Sequence, residues 1–204
     1  MKTCYDGLRL VCPDTMKLRT SKSVKMIGVV RTVQLSIPND FLPVLSALND
    51  TRPGDVLVVN TGGSDLAVAG SLFTTEASRR GAKGLVVDGP IRDSGELACP
   101  TYSTRVTPYA GTAQHPGEGI DSSPIRVGGV TVHPGDIIFG DADGILVGSI
   151  KSFAACLEGA ENILHVESKL LEGMRHNLHL HKMTNFDRHI ELRKQGKESD
   201  LKFN

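Results

Sequence analysis

An arginine and two carboxylates lie close together in the middle of the chain, directly after a short apolar run. Arg92, Asp93 and Glu96 follow residues 85–91, which read LVVDGPI. An arginine presents a planar pair of N–H donors suited to a carboxylate or an enolate oxygen. Carboxylate oxygens are the hard ligands that Mg²⁺ and Mn²⁺ prefer. These three residues are therefore candidates for oxyanion and metal binding, although a surface ion pair has the same composition.

The position of Arg92 and Asp93 relative to a strand decides whether their side chains can act together. Adjacent residues within a strand point to opposite faces of the sheet. Gly89 and Pro90 indicate a turn just past the strand, and neighbouring side chains can converge in a turn. We therefore expect Arg92 and Asp93 to meet at the carboxyl end of a strand.

The residues before Arg92 predict a βαβ unit. After the turn Pro53-Gly54-Asp55, the β-branched run at residues 56–59 predicts a buried strand. A glycine loop at 61–63 leads to a predicted helix over 67–80, which Gly81 ends, and residues 85–87 form the next strand. The crossover should be right-handed. Ligands of such sheets bind just outside the carboxyl ends of the strands.

Further elements are predicted on the amino-terminal side of this unit. Residues 26–36 read as a half-buried strand with Val33, Leu35 and Ile37 on its apolar face. Asp40 is a plausible N-cap for a helix over residues 41–48. Residues 1–23 predict no definite element.

Carboxyl-terminal to the unit, the pattern changes to short strands and turns. A short strand is predicted at 101–104 and a long connection at 107–124. Gly128-Gly129 separates two apolar triplets at 125–127 and 130–132, which is a hairpin signal. The turn at 133–136, HPGD, echoes RPGD at 52–55. This repeat reflects either two similar turns in one barrel-like sheet or coincidence.

The remaining residues predict one more turn and strand, then a helix. Asp141 and Asp143 lie in a tight turn before a strand at 145–147, and the 3.6-residue period is typical of a helix from Ser149, which Gly173 could end. We expect a single-domain α/β sandwich over residues 1–173, with a central βαβ unit, a small barrel-like β portion and a C-terminal helix. A polar, partly mobile extension is expected over 174–204.

Composition bears on several classes of function. Lys plus Arg and Asp plus Glu both number 23, so the net charge is zero, which argues against direct nucleic-acid binding. No run of apolar residues is long enough for a membrane span, and the amino terminus does not resemble a signal peptide. The four scattered cysteines predict free thiols in a reducing compartment, which we interpret as the cytoplasm.

Two other clusters have simpler interpretations. Four histidines occur late in the chain, but they fit a polar helix and tail better than a zinc site; they are His165, His176, His179 and His181. The pair Asp141 and Asp143 lacks the rest of a calcium loop and is interpreted as part of a turn.

Several blocks, in a definite order, resemble a known family. They are PGDVLVV, then Gly70, then RRGAKGLVVDGPIRD, then GGVTVHPGDIIFGDADGILV. Together they resemble the ribonuclease-activity regulator A proteins and the class II pyruvate aldolases, which cleave 4-hydroxy-4-methyl-2-oxoglutarate and 4-carboxy-4-hydroxy-2-oxoadipate. The resemblance covers residues 50–147, and the combination of blocks is more specific than any one of them.

The resemblance implies roles for individual residues. The arginine matching Arg92 contacts the keto and enolate oxygen of pyruvate, and the aspartate matching Asp93 ligates the metal, with Glu96 as a further carboxylate nearby. Backbone amides after Gly70, those of Ser71, Leu72 and Phe73, hold the substrate carboxylate at a helix N-terminus.

One residue departs from the family pattern. Family members commonly have an acidic residue where this chain has Ser71, and in the aldolases this acid helps to order water at the metal. The departure puts efficient aldol cleavage in doubt but not metal binding. Asp65, a few residues upstream, is a possible substitute.

The function expected from the resemblance is a lyase that depends on Mg²⁺ or Mn²⁺ and acts on pyruvate-derived 2-oxo acids. It would cleave 4-hydroxy-4-methyl-2-oxoglutarate, decarboxylate oxaloacetate, or do both through a pyruvate enolate. The family also implies a homotrimer or homohexamer. The alternative is a non-enzymatic regulator that binds a ribonuclease or helicase. A methyltransferase is disfavoured, since no GxGxG loop follows the first strand.

Overall fold

The structure is a computed structural model that describes residues 7–11, 14–20, 24–115, 119–120 and 123–203. It divides into two compact units, one extending to Phe153 and the other beginning at Ala154. The predicted boundary at residue 173 and the mobility of the extension stay predictions.

The first unit is built around one large mixed sheet. Its strands, in chain order, are β1 (Leu8–Val11), β2 (Lys17–Leu18), β3 (Met26–Gln34), β4 (Asp55–Asn60), β5 (Gly84–Ile91), β6 (Thr101–Val106), β9 (Ile137–Gly140) and β10 (Ile145–Gly148), and a separate hairpin contains β7 (Ile125–Val127) and β8 (Val130–Val132). The order across the sheet is β1-β10-β9-β3-β4-β5-β6-β2. Four consecutive strands of this order, β3, β4, β5 and β6, are parallel. The α/β class and central βαβ unit are therefore confirmed.

Helices cover one face of the sheet. They are α1 (Leu42–Asp50) and α2 (Ser71–Arg79), and α2 is the crossover between β4 and β5. One apolar cluster lies beneath them and includes Val44, Leu48 and Ala77. Residues 56–59 of β4 are completely buried, as expected for a strand covered on both faces.

The hairpin covers the other face. Ile125, Val127 and Val132 pack in a second apolar cluster with residues of β3, β4 and β5. Gly128 and Gly129 have φ values of +53° and +84°, which is the primed turn that the two glycines predicted.

The sheet curls strongly. Strands β6 and β9 are separated by three strands in the sheet, yet they approach each other in space. Tyr102 of β6 is fully buried, and its hydroxyl donates to the carbonyl oxygen of Asp141 at the end of β9 over 2.9 Å. This curl gives the sheet the barrel-like character expected from the sequence.

The two PGD sequences form the same turn at equivalent places. The Asp55 carboxylate accepts a hydrogen bond from the N–H of Arg52 over 2.9 Å, and the Asp136 carboxylate accepts one from the N–H of His133 over 3.1 Å. The strands that follow, β4 and β9, lie on either side of β3. The repeat therefore reflects two similar turns in one sheet.

Several local predictions were wrong. Helix α2 begins at Ser71 and not at residue 67, because the preceding residues hydrogen-bond to neighbouring loops. Strand β3 ends at Gln34, and Ile37 is exposed. Strands β1 and β2 lie where no element was predicted, since their partners β10 and β6 are distant in sequence.

The second unit is helical. Helix α3 (Ile150–Arg175) runs past Gly173, and a 3₁₀ turn (Leu180–Met183) and helix α4 (Phe186–Lys194) follow. The chain end returns to this unit through a bridge between Thr184 and Phe203. Cys99 is a free thiol and Cys156 is buried, whereas Cys4 and Cys12 lie outside the described residues. None of the helices in the described ranges is long and apolar enough to cross a membrane.

Candidate functional site

The site begins where β5 ends. The register of β5 against β6 shifts between Val87 and Pro90, and Gly89 packs against Thr61, where a Cβ would lie only 2.5 Å from a side-chain carbon. The Thr61 hydroxyl donates to the carbonyl oxygen of Asp88 over 2.6 Å. The prediction that this strand ends at Val87 was wrong, because β5 continues through Gly89 and Pro90 to Ile91. Arg92 is the first residue beyond it.

Arg92 and Asp93 converge as expected for a turn. Asp93 has a φ of +56°, in the left-handed region that aspartate tolerates better than most residues. This conformation brings its Oδ2 atom to 2.9 Å from Nε of Arg92. The ion pair uses only Nε of Arg92. The two terminal nitrogens of the guanidinium donate to no acceptor among the described residues.

The segment before α2 lies directly against these two residues. The N–H of Arg92 donates to the carbonyl oxygen of Ala69 over 3.0 Å, and the N–H of Val68 donates to that of Pro90 over 3.4 Å. A Cβ at Gly70 would lie 2.7 Å from Oδ2 of Asp93 and 2.8 Å from Cγ of Arg92. The backbone of Gly70 is extended, a conformation that any residue can adopt. A glycine is therefore required here by the close approach of Asp93 and Arg92, and not by its backbone angles.

The N-terminus of α2 contributes free backbone donors. The N–H and hydroxyl of Ser71 lie 3.4 Å and 3.3 Å from Oδ2 of Asp93. The N–H groups of Leu72 and Phe73 belong to the first helical turn and have no acceptor in the described part of the chain. The Phe73 ring packs edge-on against Phe41 with centroids 5.8 Å apart, which anchors this turn to the core.

These contacts determine the charge of Asp93. The hydrogen bond from Arg92 lowers the pKa of Asp93, partial burial opposes this, and the donors of Ser71 lower it further. The net effect is a pKa below the ordinary value, so Asp93 is a carboxylate at neutral pH. Its second oxygen, Oδ1, has no hydrogen-bond partner among the described residues.

Glu96 lies one turn further along and is exposed. Its N–H donates to the carbonyl oxygen of Asp93 over 3.0 Å, but the structure shows no contact between the two carboxylates. The described residues contain no group of three or more His, Cys, Asp or Glu side chains that could hold a metal. A donor set of one or two carboxylates completed by water fits Mg²⁺.

Asp65 does not join the site. Its carboxylate forms an ion pair with Arg105 over 2.7 Å and is 82% exposed. The structure shows no contact from Asp65 to Ser71, Arg92 or Asp93, so its role as a substitute acid has no geometric support.

Asn39 is a supporting residue that the sequence analysis missed. Its side-chain oxygen accepts hydrogen bonds from the Ser64 hydroxyl over 2.6 Å and from the N–H groups of Asp65 and Leu66 over 2.8 and 3.0 Å. Asn39 has a φ of +71°, which asparagine tolerates. In the sequence, the only signal for Asn39 was its place between Pro38 and Asp40. That signal predicts a turn but not the groups that hydrogen-bond to the side chain.

The long connection after β6 supports the same loop. The N–H of Ala67 donates to the carbonyl oxygen of Tyr109, and the N–H of Gly111 donates to that of Ala67, over 2.9 and 2.8 Å. The carboxylate of Asp40 accepts from the N–H groups of Gln114 and His115. Burial raises the pKa of Asp40, but its backbone donors outweigh this and hold the pKa below the ordinary value.

The clusters interpreted as structural have structural contacts. The Asp141 carboxylate accepts from the N–H of Asp143 over 2.9 Å within its turn. His181 pairs with Asp187 and not with other histidines.

The site is therefore a candidate anion- and cation-binding site at the carboxyl end of a βαβ unit, made of an arginine–carboxylate pair beside a helix N-terminus. The model of the RraA-like family, described as Aldolase/RraA, matches residues 3–147. The chain therefore belongs to the RraA-like family.

Individual relatives agree with this assignment. A protein of Halalkalibacterium halodurans named "Putative 4-hydroxy-4-methyl-2-oxoglutarate aldolase" is 40% identical over 146 residues, which are 70% of this chain and 67% of the relative. The structure resembles that of S-adenosylmethionine: 2-dimethylmenaquinone methyltransferase from Geobacillus kaustophilus, with a TM-score of 0.62 and 30% identity over 71% of this chain and 88% of that one. It also resembles the RNA-processing inhibitor RraA from Thermus thermophilis, with a TM-score of 0.61 and 27% identity over 70% and 86% of the two chains.

Proposed function

We propose that this protein is a divalent-metal-dependent lyase that acts on pyruvate-derived 2-oxo acids. One observation carries the proposal: a single carboxylate oxygen of Asp93 accepts from Nε of Arg92 over 2.9 Å and lies 3.4 Å from the N–H of Ser71. The guanidinium of Arg92 and the N-terminus of α2 therefore contact the same carboxylate. A 2-oxo acid has a carboxylate next to a keto oxygen, and these two groups match the two kinds of donor.

The residues would divide the work of binding the substrate. The free N–H groups of Leu72 and Phe73 would bind the substrate carboxylate, since the first turn of a helix favours an anion. The unpaired terminal nitrogens of Arg92 would donate to the keto oxygen. That interaction strengthens as the oxygen gains charge in the enolate, so it stabilises the transition state more than the ground state.

Mg²⁺ or Mn²⁺ would be held by Asp93 through its free Oδ1, with Glu96 as a second carboxylate, and it would supply Lewis-acid polarisation of the substrate. The ion pair with Arg92 keeps Asp93 ionised for this role. No third protein ligand is needed, because Mg²⁺ usually keeps several waters.

Two reactions share this enolate. Retro-aldol cleavage of 4-hydroxy-4-methyl-2-oxoglutarate requires removal of the proton from the substrate hydroxyl, which calls for a base. Decarboxylation of oxaloacetate requires no base for the departing CO₂. Ser71 supplies no carboxylate, so we expect decarboxylation to be the more efficient reaction.

The direct test uses the full chain freed of metal by a chelator. Addition of Mg²⁺ or Mn²⁺ should restore pyruvate formation from oxaloacetate above the metal-only background. Asp65→Asn, a change at an exposed carboxylate outside the site, should behave like the unchanged protein. Absence of enzymatic turnover with both substrates at saturating metal would refute the proposal.

A non-enzymatic regulator is the second candidate, and the residue at position 71 favours it. Loss of an acid that serves catalysis is expected where catalysis is not needed, and RraA from Thermus thermophilis is named an RNA-processing inhibitor. A regulator would bind a ribonuclease or helicase without metal, and its binding would survive Arg92→Lys. Binding of a purified ribonuclease by both the unchanged chain and the Arg92→Lys variant would establish this alternative, provided that neither turns over oxaloacetate or 4-hydroxy-4-methyl-2-oxoglutarate.

The assembly and location belong to the same proposal. We expect a homotrimer or homohexamer in the cytoplasm, with no direct contact to nucleic acid or membrane. Light scattering on the purified chain would measure the number of subunits. The methyltransferase activity named for the Geobacillus protein is not proposed, since the loop after β4 lacks a GxGxG motif.

A further inference from the structure

Helix α3 carries leucines at a spacing of seven residues, outside the part of the chain that the family model matches. Leu157, Leu164 and Leu171 are 58%, 61% and 55% exposed. Ile150, the first residue of the helix, begins the same spacing in the sequence and is also exposed. We call Leu157, Leu164 and Leu171 the leucine stripe.

The chain itself covers the apolar surface of this helix only in part. Leu180 and Phe203 adjoin a groove of about 870 Å³ beside the carboxyl-terminal half of α3, and Leu171 of the stripe lines it together with Val166 and Leu170. Leu170 is buried. The apolar surface of α3 is thus wider than its own unit covers, and the leucine stripe remains exposed.

The spacing identifies what would cover the stripe. Residues seven apart drift by only about 20° around a straight helix, so the three leucines form a ridge nearly parallel to the helix axis. A second helix with the same seven-residue spacing matches this ridge along its length. We propose that the leucine stripe packs against the leucine stripe of a second copy of this chain and forms a two-helix coiled coil.

The rest of the repeat is consistent with such a seam. If the leucines occupy one core position, the second core position falls on Phe153, Ala160, Glu167 and Met174. Three of these four residues are apolar. Glu167 is exposed in the chain alone, and a single polar core residue lowers the stability of a coiled coil while restricting its register.

The available area is close to the lower limit for a specific interface. The stripe with its partly exposed neighbours Ile163 and Met174 offers roughly 450 Å² of apolar surface per copy, hence about 900 Å² in a pair, near the ~1,000 Å² expected of a specific interface. A two-fold pair needs only one self-complementary surface on each copy, and a ridge of leucines provides one.

The test compares the molar mass of the full chain with that of three variants by sedimentation velocity. Leu164→Glu should reduce the mass at least two-fold, because it places a carboxylate in the seam. His165→Glu introduces the same group one residue away, at an exposed position, and should keep the mass of the unchanged chain. Glu167→Leu should strengthen association, so its complex should survive at least ten-fold greater dilution.

The ratio of the mass of the unchanged chain to that of the Leu164 variant decides whether the leucine stripe is an interface. This ratio can be interpreted whatever assembly the α/β unit forms. Circular dichroism should show equal helix content in all forms, and Leu164→Ala replaces Leu164→Glu if the latter fails to fold. Equal masses for the unchanged chain and the Leu164 variant, at all concentrations, would overturn the proposal. So would an equal loss of mass in His165→Glu.

Discussion

The hydroxyl of Ser71 lies 3.3 Å from Oδ2 of Asp93, the oxygen that also accepts a hydrogen bond from Arg92. The residue that departs from the family pattern is therefore in direct contact with the proposed metal ligand. A longer acidic side chain at position 71 would lie beside Asp93, where a second carboxylate could serve the metal or a proton transfer.

Ser71→Glu should raise the kcat of aldol cleavage relative to that of oxaloacetate decarboxylation. Both reactions use the enolate and Arg92, but only the aldol route removes a hydroxyl proton. The new charge beside the anion-binding amides could raise KM, so the ratio of kcat values is the quantity to measure. Thr75→Glu, at an exposed position on the same helix, is the control. An unchanged or lower ratio would show that Ser71 does not limit aldol cleavage.

Asp93→Ala should abolish the dependence on divalent metal and most lyase activity, because it removes the first of the two carboxylates assigned to the metal and leaves only Glu96. Titration calorimetry with Mn²⁺ gives a readout independent of turnover. Asp65→Ala removes a carboxylate that pairs with Arg105 and should bind Mn²⁺ normally. Unchanged Mn²⁺ binding by the Asp93 variant would exclude this aspartate as a ligand.

Arg92→Lys should lower kcat by about 10²-fold or more, the scale for loss of one oxyanion donor. Lysine keeps the charge but lacks the planar fork of donors. Metal affinity should change much less than turnover. Arg105→Lys, at another surface ion pair, provides the matched control. Near-normal turnover in the Arg92 variant would make Arg92 a structural partner of Asp93.

Gly70→Ala should strongly reduce activity and metal binding. The added methyl group would lie within 3 Å of both Asp93 and Arg92, so the pair must move from its present position. Gly95→Ala is a control in the neighbouring turn, since a Cβ there meets nothing within 4 Å. Equal kinetic constants for the two variants would mean that the pair tolerates displacement.

Glu76→Gln should change the pH dependence of stability. Hydrogen bonds from Arg79 and then Arg80 lower the pKa of Glu76 from 4.5 to about 2. A carboxylate with a lowered pKa stabilises the folded state above its ordinary pKa, and this contribution is lost as the pH falls towards 2. The variant should therefore melt about 1–3 °C lower at pH 6, a surface-pair effect, and the difference should vanish near pH 2. Melting curves that differ equally at both pH values would contradict this.

Local sequence signals were sufficient for the centre of the fold. The β-branched run before Asn60, the glycine after α2 and the apolar residues before Asp88 each determine an element through nearby residues. The turn after Gly89-Pro90 also predicted that Arg92 and Asp93 converge. These features depend on backbone preferences over a few residues, which a single sequence reveals.

Tertiary structure decided what depends on residues far apart in the chain. Strand β1 exists because Leu8–Val11 pairs with β10. Helix α2 starts late because residues 67–69 hydrogen-bond to the end of β5, to Arg92 and to the connection after β6. Asn39 braces the loop before Gly70 from a turn more than twenty residues away. The contact of Ser71 with Asp93 likewise joins residues 22 positions apart. Such contacts form only when the sheet brings its loops to one edge, and no local preference specifies which distant groups will meet there.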